Sequence, residues 1–148
     1  MSMFNRRHLI AALLATAVSG ISGQALSDGH LSPAHDKSYL YIGWPNDGEV
    51  IKTRSFRMWF GLRNMGLAPA GNKISFTGHH HLLINTEIPP LDEEIPADKN
   101  HLHFGAGQSE AVIELPPGKH TLQLLLGDHN HVPHDPPIMS KKITVTVK

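Results

Sequence analysis

Histidine is the residue type in this chain whose spacing most strongly suggests chemistry. There are 12 histidines in 148 residues, and most fall into three groups: His79-His80-His81, His101-x-His103 and His129-x-His131-x-x-His134. In an extended strand, residues i and i+2 point the same way about 7 Å apart. His79 and His81 can therefore converge on one ion, and His101 and His103 share that spacing beside a Gly-rich turn. The third group lies in a loop with Asp128 and Asp135, and carboxylates next to ligating histidines often orient the second ring nitrogen. A four-coordinate site needs only three or four ligands. Seven candidates are available: His79, His81, His101, His103, His129, His131 and His134.

Imidazole-only sites suit Zn(II), Cu(II) and Ni(II), and the general affinity order favours Cu(II). Met139, near the third group, would add a thioether and favour copper further, particularly Cu(I). The chain has no Cys, which excludes thiolate sites and disulfides alike. The competing account is structural: histidines in turns hydrogen-bond carbonyls and carboxylates, or form pH-responsive networks, since imidazole changes charge between about pH 5 and 8. His80 shares the parity of Leu82 and Ile84 and reads as inward. His120, just after a Pro-Gly turn, reads as structural, and His30 and His35 as solvated. Asp92, Glu93 and Glu94 read as a solvated loop face able to attract cations.

These side chains need elements to hold them, and period-2 patterns dominate the chain while helix signals are scarce. Strands are expected at 38–44, 55–62, 79–85, 110–115, 120–126 and 143–147, with a short extended piece at 101–104. Pro45-Asn46-Asp47-Gly48 and Pro116-Pro117-Gly118-Lys119 are turn sequences. Residues 86–100 and 127–139 form long loops, a feature often tied to function. The expected fold is all-β: a small immunoglobulin-like antiparallel β-sandwich with two long His-containing loops. One domain is expected over 38–148, after a flexible lead-in at 26–37.

The N-terminal residues read as a signal peptide over 1–25. Arg6 and Arg7 precede an apolar run over 9–18, and Gly23-Gln24-Ala25 suits cleavage after Ala25. A membrane span needs roughly 20 apolar residues, so no span is expected in the mature chain. Asn5-Arg6-Arg7-His8-Leu9-Ile10 also resembles a twin-arginine export signal, leaving the export route open. Cleavage leaves 123 residues, enough for one modest core. Without Arg6 and Arg7, 11 basic residues face 13 acidic ones, a net charge of −2. That balance argues against a nucleic-acid or anionic-membrane partner.

Gly78-His79-His80-His81-Leu82-Leu83-Ile84 and His101-Leu102-His103-Phe104-Gly105 resemble an exported bacterial family, domain of unknown function 4399 (DUF4399). So do the segments from Leu115 to Leu124 (LPPGKHTLQL) and from Gly127 to His134 (GDHNHVPH). The resemblance covers roughly 39–147. It implies an exported β domain and carries no established activity.

The leading reading is a periplasmic or secreted metal-binding protein, with copper ahead of zinc, acting in delivery or buffering. The second is a non-enzymatic interaction module of the cell envelope, its histidines bracing a surface for an envelope protein. The third is a metal-dependent enzyme, which needs an open coordination position. The sequence holds no nucleophile elbow, phosphate-cradling Gly loop or HExxH helix, so no organic cofactor and no catalytic residues are expected, and the enzyme reading ranks last.

Overall fold

A computed structural model describes residues 31–148, and the fold there is all-β, with no helix among the described residues. The strands are β1 (Tyr39–Trp44), β2 (Val50–Ile51), β3 (Ser55–Arg63), β4 (Gly66–Leu67), β5 (Thr77–Ile84), β6 (His101–His103), β7 (Glu110–Glu114), β8 (Gly118–Gly127) and β9 (Ile143–Val147). One sheet has the order β1-β3-β7 and is antiparallel. The other runs β2-β9-β8-β5-β4, with β6 also paired to β5. The two form the expected sandwich. β2 and β4 are additions: each is two residues long and pairs in parallel, too short to leave a periodic trace in the sequence, so the second sheet is mixed. No helix of the described residues is long and apolar enough to cross a membrane.

The first sheet has one wet face. Along β3, Phe56, Met58 and Phe60 are buried while Arg57 and Trp59 are exposed, the alternation of a sheet with one solvated side. β5 and β8 differ, because both of their faces are covered. Leu82 and Ile84 of β5 join Leu122, Leu124 and Leu126 of β8 in the main core against the first sheet. On the opposite face, Leu83 and Leu125 form a smaller buried cluster under Ile95, flanked by Ile88, Leu91 and Met139. Loop 86–100 is thus a cover laid over the outer face of the second sheet. It contains no histidine; His101 opens the strand that follows it.

Where the sequence predicts a flexible lead-in, the described part is paired. The Asp135 N–H donates to the Ser32 carbonyl and the Ala34 N–H to that of Asp135, both at 3.0 Å. The Ser32 hydroxyl donates to Asp128 Oδ2 at 2.6 Å. The expected signal peptide over 1–25 lies outside the described residues, as do positions 26–30.

Leu124 sits at the centre of β8 and is fully buried. Leu124→Ala should cost about 2–5 kcal/mol, read as a lower urea midpoint with an unchanged slope.

Candidate metal centre

The two-residue strand period puts His79 and His81 on the covered outer face of β5, beside Leu83. Their ring centroids are 4.8 Å apart. β6 pairs antiparallel with β5 so that His103 lies opposite His81, and these rings stack at 5.1 Å. The turn after β8 delivers a fourth ring, His131, at 5.0 Å from His79 and 4.7 Å from His103. One nitrogen from each of His79, His81 and His103 lies within 4.8 Å of the others, a grouping that could hold a metal ion. With metal–nitrogen bonds of about 2.0–2.1 Å, the rings must draw closer than that limit to share an ion.

Two glycines make room for the rings. Gly127 pairs with His79 across β8, and a Cβ there would stand 2.6 Å from His81 Cε1. Gly105 lies under the His103 ring, which a Cβ would strike.

Burial makes this cluster unusual. His79 is 0% and His81 1% exposed, yet neither nitrogen of either ring has a hydrogen-bond partner among the described residues. A neutral imidazole carries one N–H and one lone pair, and leaving such groups buried without a partner costs about 1–3 kcal/mol each. Burial lowers the His79 pKa to about 4, helped by the neighbouring His103 and His131. Burial, then the rings of His79, His103 and His131, lower that of His81 to about 3. The His103 pKa is lowered too, by desolvation and by His131. At neutral pH these rings are therefore uncharged, the form that donates a lone pair to a metal.

Other candidates go elsewhere. His101 has the strand parity of His103 but lies opposite Leu83, one repeat further along, where Nδ1 donates to Asp98 Oδ1 at 2.9 Å. His129 stands 3.5 Å from Asp128 Oδ2. His134 is buried and donates through Nε2 to the Thr77 carbonyl at 3.1 Å. His129 and His134 line a separate cavity of about 160 Å³ with Ser32, Lys73 and Phe76. Met139 packs in the small apolar cluster with Leu83 and Leu125. His80 points into the main core, donating through Nδ1 to the Gln108 carbonyl at 2.8 Å. His120 donates from Nε2 to the Pro116 carbonyl and accepts from Asn85. Both match their inward, structural reading. Glu94, whose Oε1 lies 3.5 Å from His131 Nδ1, escaped the sequence as a site residue because nothing in it links a position in loop 86–100 to one in the next long loop. Gly105 and Gly127 are invisible for a similar reason: their role depends on a ring that only the strand register brings near.

A mixed β-sandwich with a half-buried histidine cluster is the class of protein this geometry defines. Residues 58–148 match the family described as Domain of unknown function (DUF4399), and the chain belongs to that family. No curated protein and no solved structure matches the chain.

Two outcomes follow for the metal-free protein. Unfolding raises the pKa values of His79 and His81 back toward 6.5, so below that pH the unfolded chain binds more protons and the fold loses stability. Their contribution is complete above about pH 6.5 and disappears as pH falls toward 4 and then 3, which thermal melts across that range will show as a steadily falling Tm. Gly127→Ala should displace the His81 ring, visible as large shifts of the His79 and His81 imidazole NMR signals, while Gly43→Ala, whose Cβ would meet Trp59 Cβ at an ordinary 3.4 Å, leaves those signals in place.

Proposed function

We propose that this domain is an exported binding protein for a transition-metal ion, held by His79, His81 and His103, and that it serves in delivery or buffering. One observation carries the reading: four ring nitrogens on two fully buried histidines stand without partners, beside a third imidazole within reach of the same point. Native proteins rarely leave buried polar groups unsatisfied, and an ion that accepts lone pairs satisfies them. The donor set contains nitrogen alone. With Met139 committed to the apolar cluster, borderline ions are favoured over soft ones, and the affinity order then puts Cu(II) ahead of Zn(II). Buried His79 and His81 hold the ion, while exposed His103 is the ligand through which it exchanges with solvent. The basic start, apolar run and small residues over 1–25 support export to the periplasm or beyond the cell.

The test is metal content by mass spectrometry on untagged protein after loading with Cu(II) or Zn(II) and desalting. Wild type should retain about one ion per chain, a paired His79→Ala/His81→Ala variant none, and His129→Ala/His134→Ala the full complement. His103→Ala, on an exposed residue, should weaken retention without unfolding the chain. Wild-type protein that retains no metal refutes the proposal, and so does retention unaffected by the paired and His103 changes.

A further inference from the structure

The fourth ring comes from a turn with its own construction. Asp128 Oδ1 accepts from the N–H groups of Asn130 and Val132 at 2.8 and 3.0 Å. The His131 N–H donates to the Asp128 carbonyl and the Asp128 N–H to that of Val132. This turn sets His131 at φ 67°, a left-handed conformation that is uncommon outside glycine. The turn carries the His131 ring to the edge of the cluster, its centroid 5.0 Å from His79, 4.7 Å from His103 and 5.9 Å from His81.

The opposite side of the ring meets the covering loop. The Ile95 N–H donates to the His131 carbonyl at 2.9 Å, and Ile95 is itself anchored in the small apolar cluster. This clip places Glu94 Oε1 3.5 Å from His131 Nδ1. A carboxylate there favours the tautomer with the proton on Nδ1, which leaves the Nε2 lone pair free. The loop thus contributes a carboxylate, and the turn an imidazole, to one edge of a cluster that neither belongs to in sequence.

We infer that His131 is the fourth ligand of the proposed site, bound through Nε2, and that Glu94 is its positioning residue. This rests on the metal-binding reading above and deepens it. Four imidazoles fill a four-coordinate shell, as in closed sites, whereas catalytic sites keep a position open. The cargo is therefore a divalent ion that accepts four nitrogen donors, held and released rather than used for turnover. Glu94 also supplies negative charge close to a buried dication.

Co(II) serves as the probe, since four-coordinate Co(II) absorbs far more strongly in the visible than five- or six-coordinate Co(II); Zn(II) competition against a chromophoric chelator reports affinity. Wild type should give the intense four-coordinate spectrum. His131→Asn suits the left-handed backbone but cannot supply an imidazole. It should give a weaker, shifted spectrum and a Zn(II) affinity at least 10-fold lower. Glu94→Ala should keep the four-coordinate spectrum and lose roughly 10- to 100-fold in affinity, the usual effect of removing a residue that orients a ligand. Glu94→Gln, which keeps an acceptor oxygen, should recover much of that loss. Glu93→Ala should change neither readout. Because the Glu94 side chain is 71% exposed, its variants are safe from unfolding, and melts of the metal-free proteins should coincide. A His131→Asn spectrum and affinity equal to wild type would overturn the inference, as would equal effects of Glu94→Ala and Glu93→Ala. Where the His131 and Glu94 outcomes fail but wild type binds and the His79→Ala/His81→Ala pair does not, only the fourth ligand is overturned; no binding by wild type removes the site itself.

Discussion

The antiparallel pairing of β5 with β8, covered on both faces, is the constraint on which the rest of this structure depends. Its register sets His79 opposite Gly127 and His81 opposite Leu125. One face then belongs to the main core through Leu82, Ile84, Leu122, Leu124 and Leu126. The other face must be roofed, since an apolar surface carrying Leu83 and Leu125 does not stay in water at no cost. Loop 86–100 is that roof, and its anchor, Ile95, is 2% exposed. A slip of one residue in the pairing would turn every side chain of β5 over, taking His79 and His81 into the core and Leu82 out of it.

The roof does not end with the apolar cluster. Along β5 the outer face changes from Leu83 to His81 and His79, and the cover changes with it, from Ile95 to the Asp128–Val132 turn. Polar and apolar halves of the same surface are thus closed by two segments that hydrogen-bond to each other through Ile95 and His131. The histidine half carries the electrostatic cost: burial and mutual repulsion keep His79 and His81 neutral. The leucine half supplies apolar burial beside it. A site with unsatisfied nitrogens persists because the sheet beneath it is over-determined by packing, a common arrangement where structure is held for function.

Much of this was legible from residue order. Period 2 gives the strand, and the strand gives the shared face of His79 and His81 and the inward turn of His80. The His101-x-His103 spacing gives two rings on one side but cannot say which meets β5, because that depends on the antiparallel register that sets His103 against His81. Within 129–134, three histidines look equivalent in sequence. The turn built on Asp128 separates them, sending His131 to the cluster and leaving His129 and His134 on the far side of the loop. β2 and β4 escaped notice since two-residue parallel pairings have no periodicity. Loop 86–100 read as acidic and solvated from Asp92, Glu93 and Glu94, while its placement follows from three scattered apolar residues, Ile88, Leu91 and Ile95.

The four clustered rings come from three stretches of chain, with His79 and His131 separated by half a hundred residues. In a protein without cysteine, an ion at their meeting point would act as a mechanical rivet. It would fasten a central strand, an edge strand and a surface turn, much as a disulfide fastens distant segments, but reversibly and under the control of metal supply. Any ligand that binds the folded state alone adds its binding energy to stability, so the loaded and empty forms of this domain would differ in toughness as well as in cargo. A domain built this way would carry a record of metal supply in its own resistance to unfolding and proteolysis.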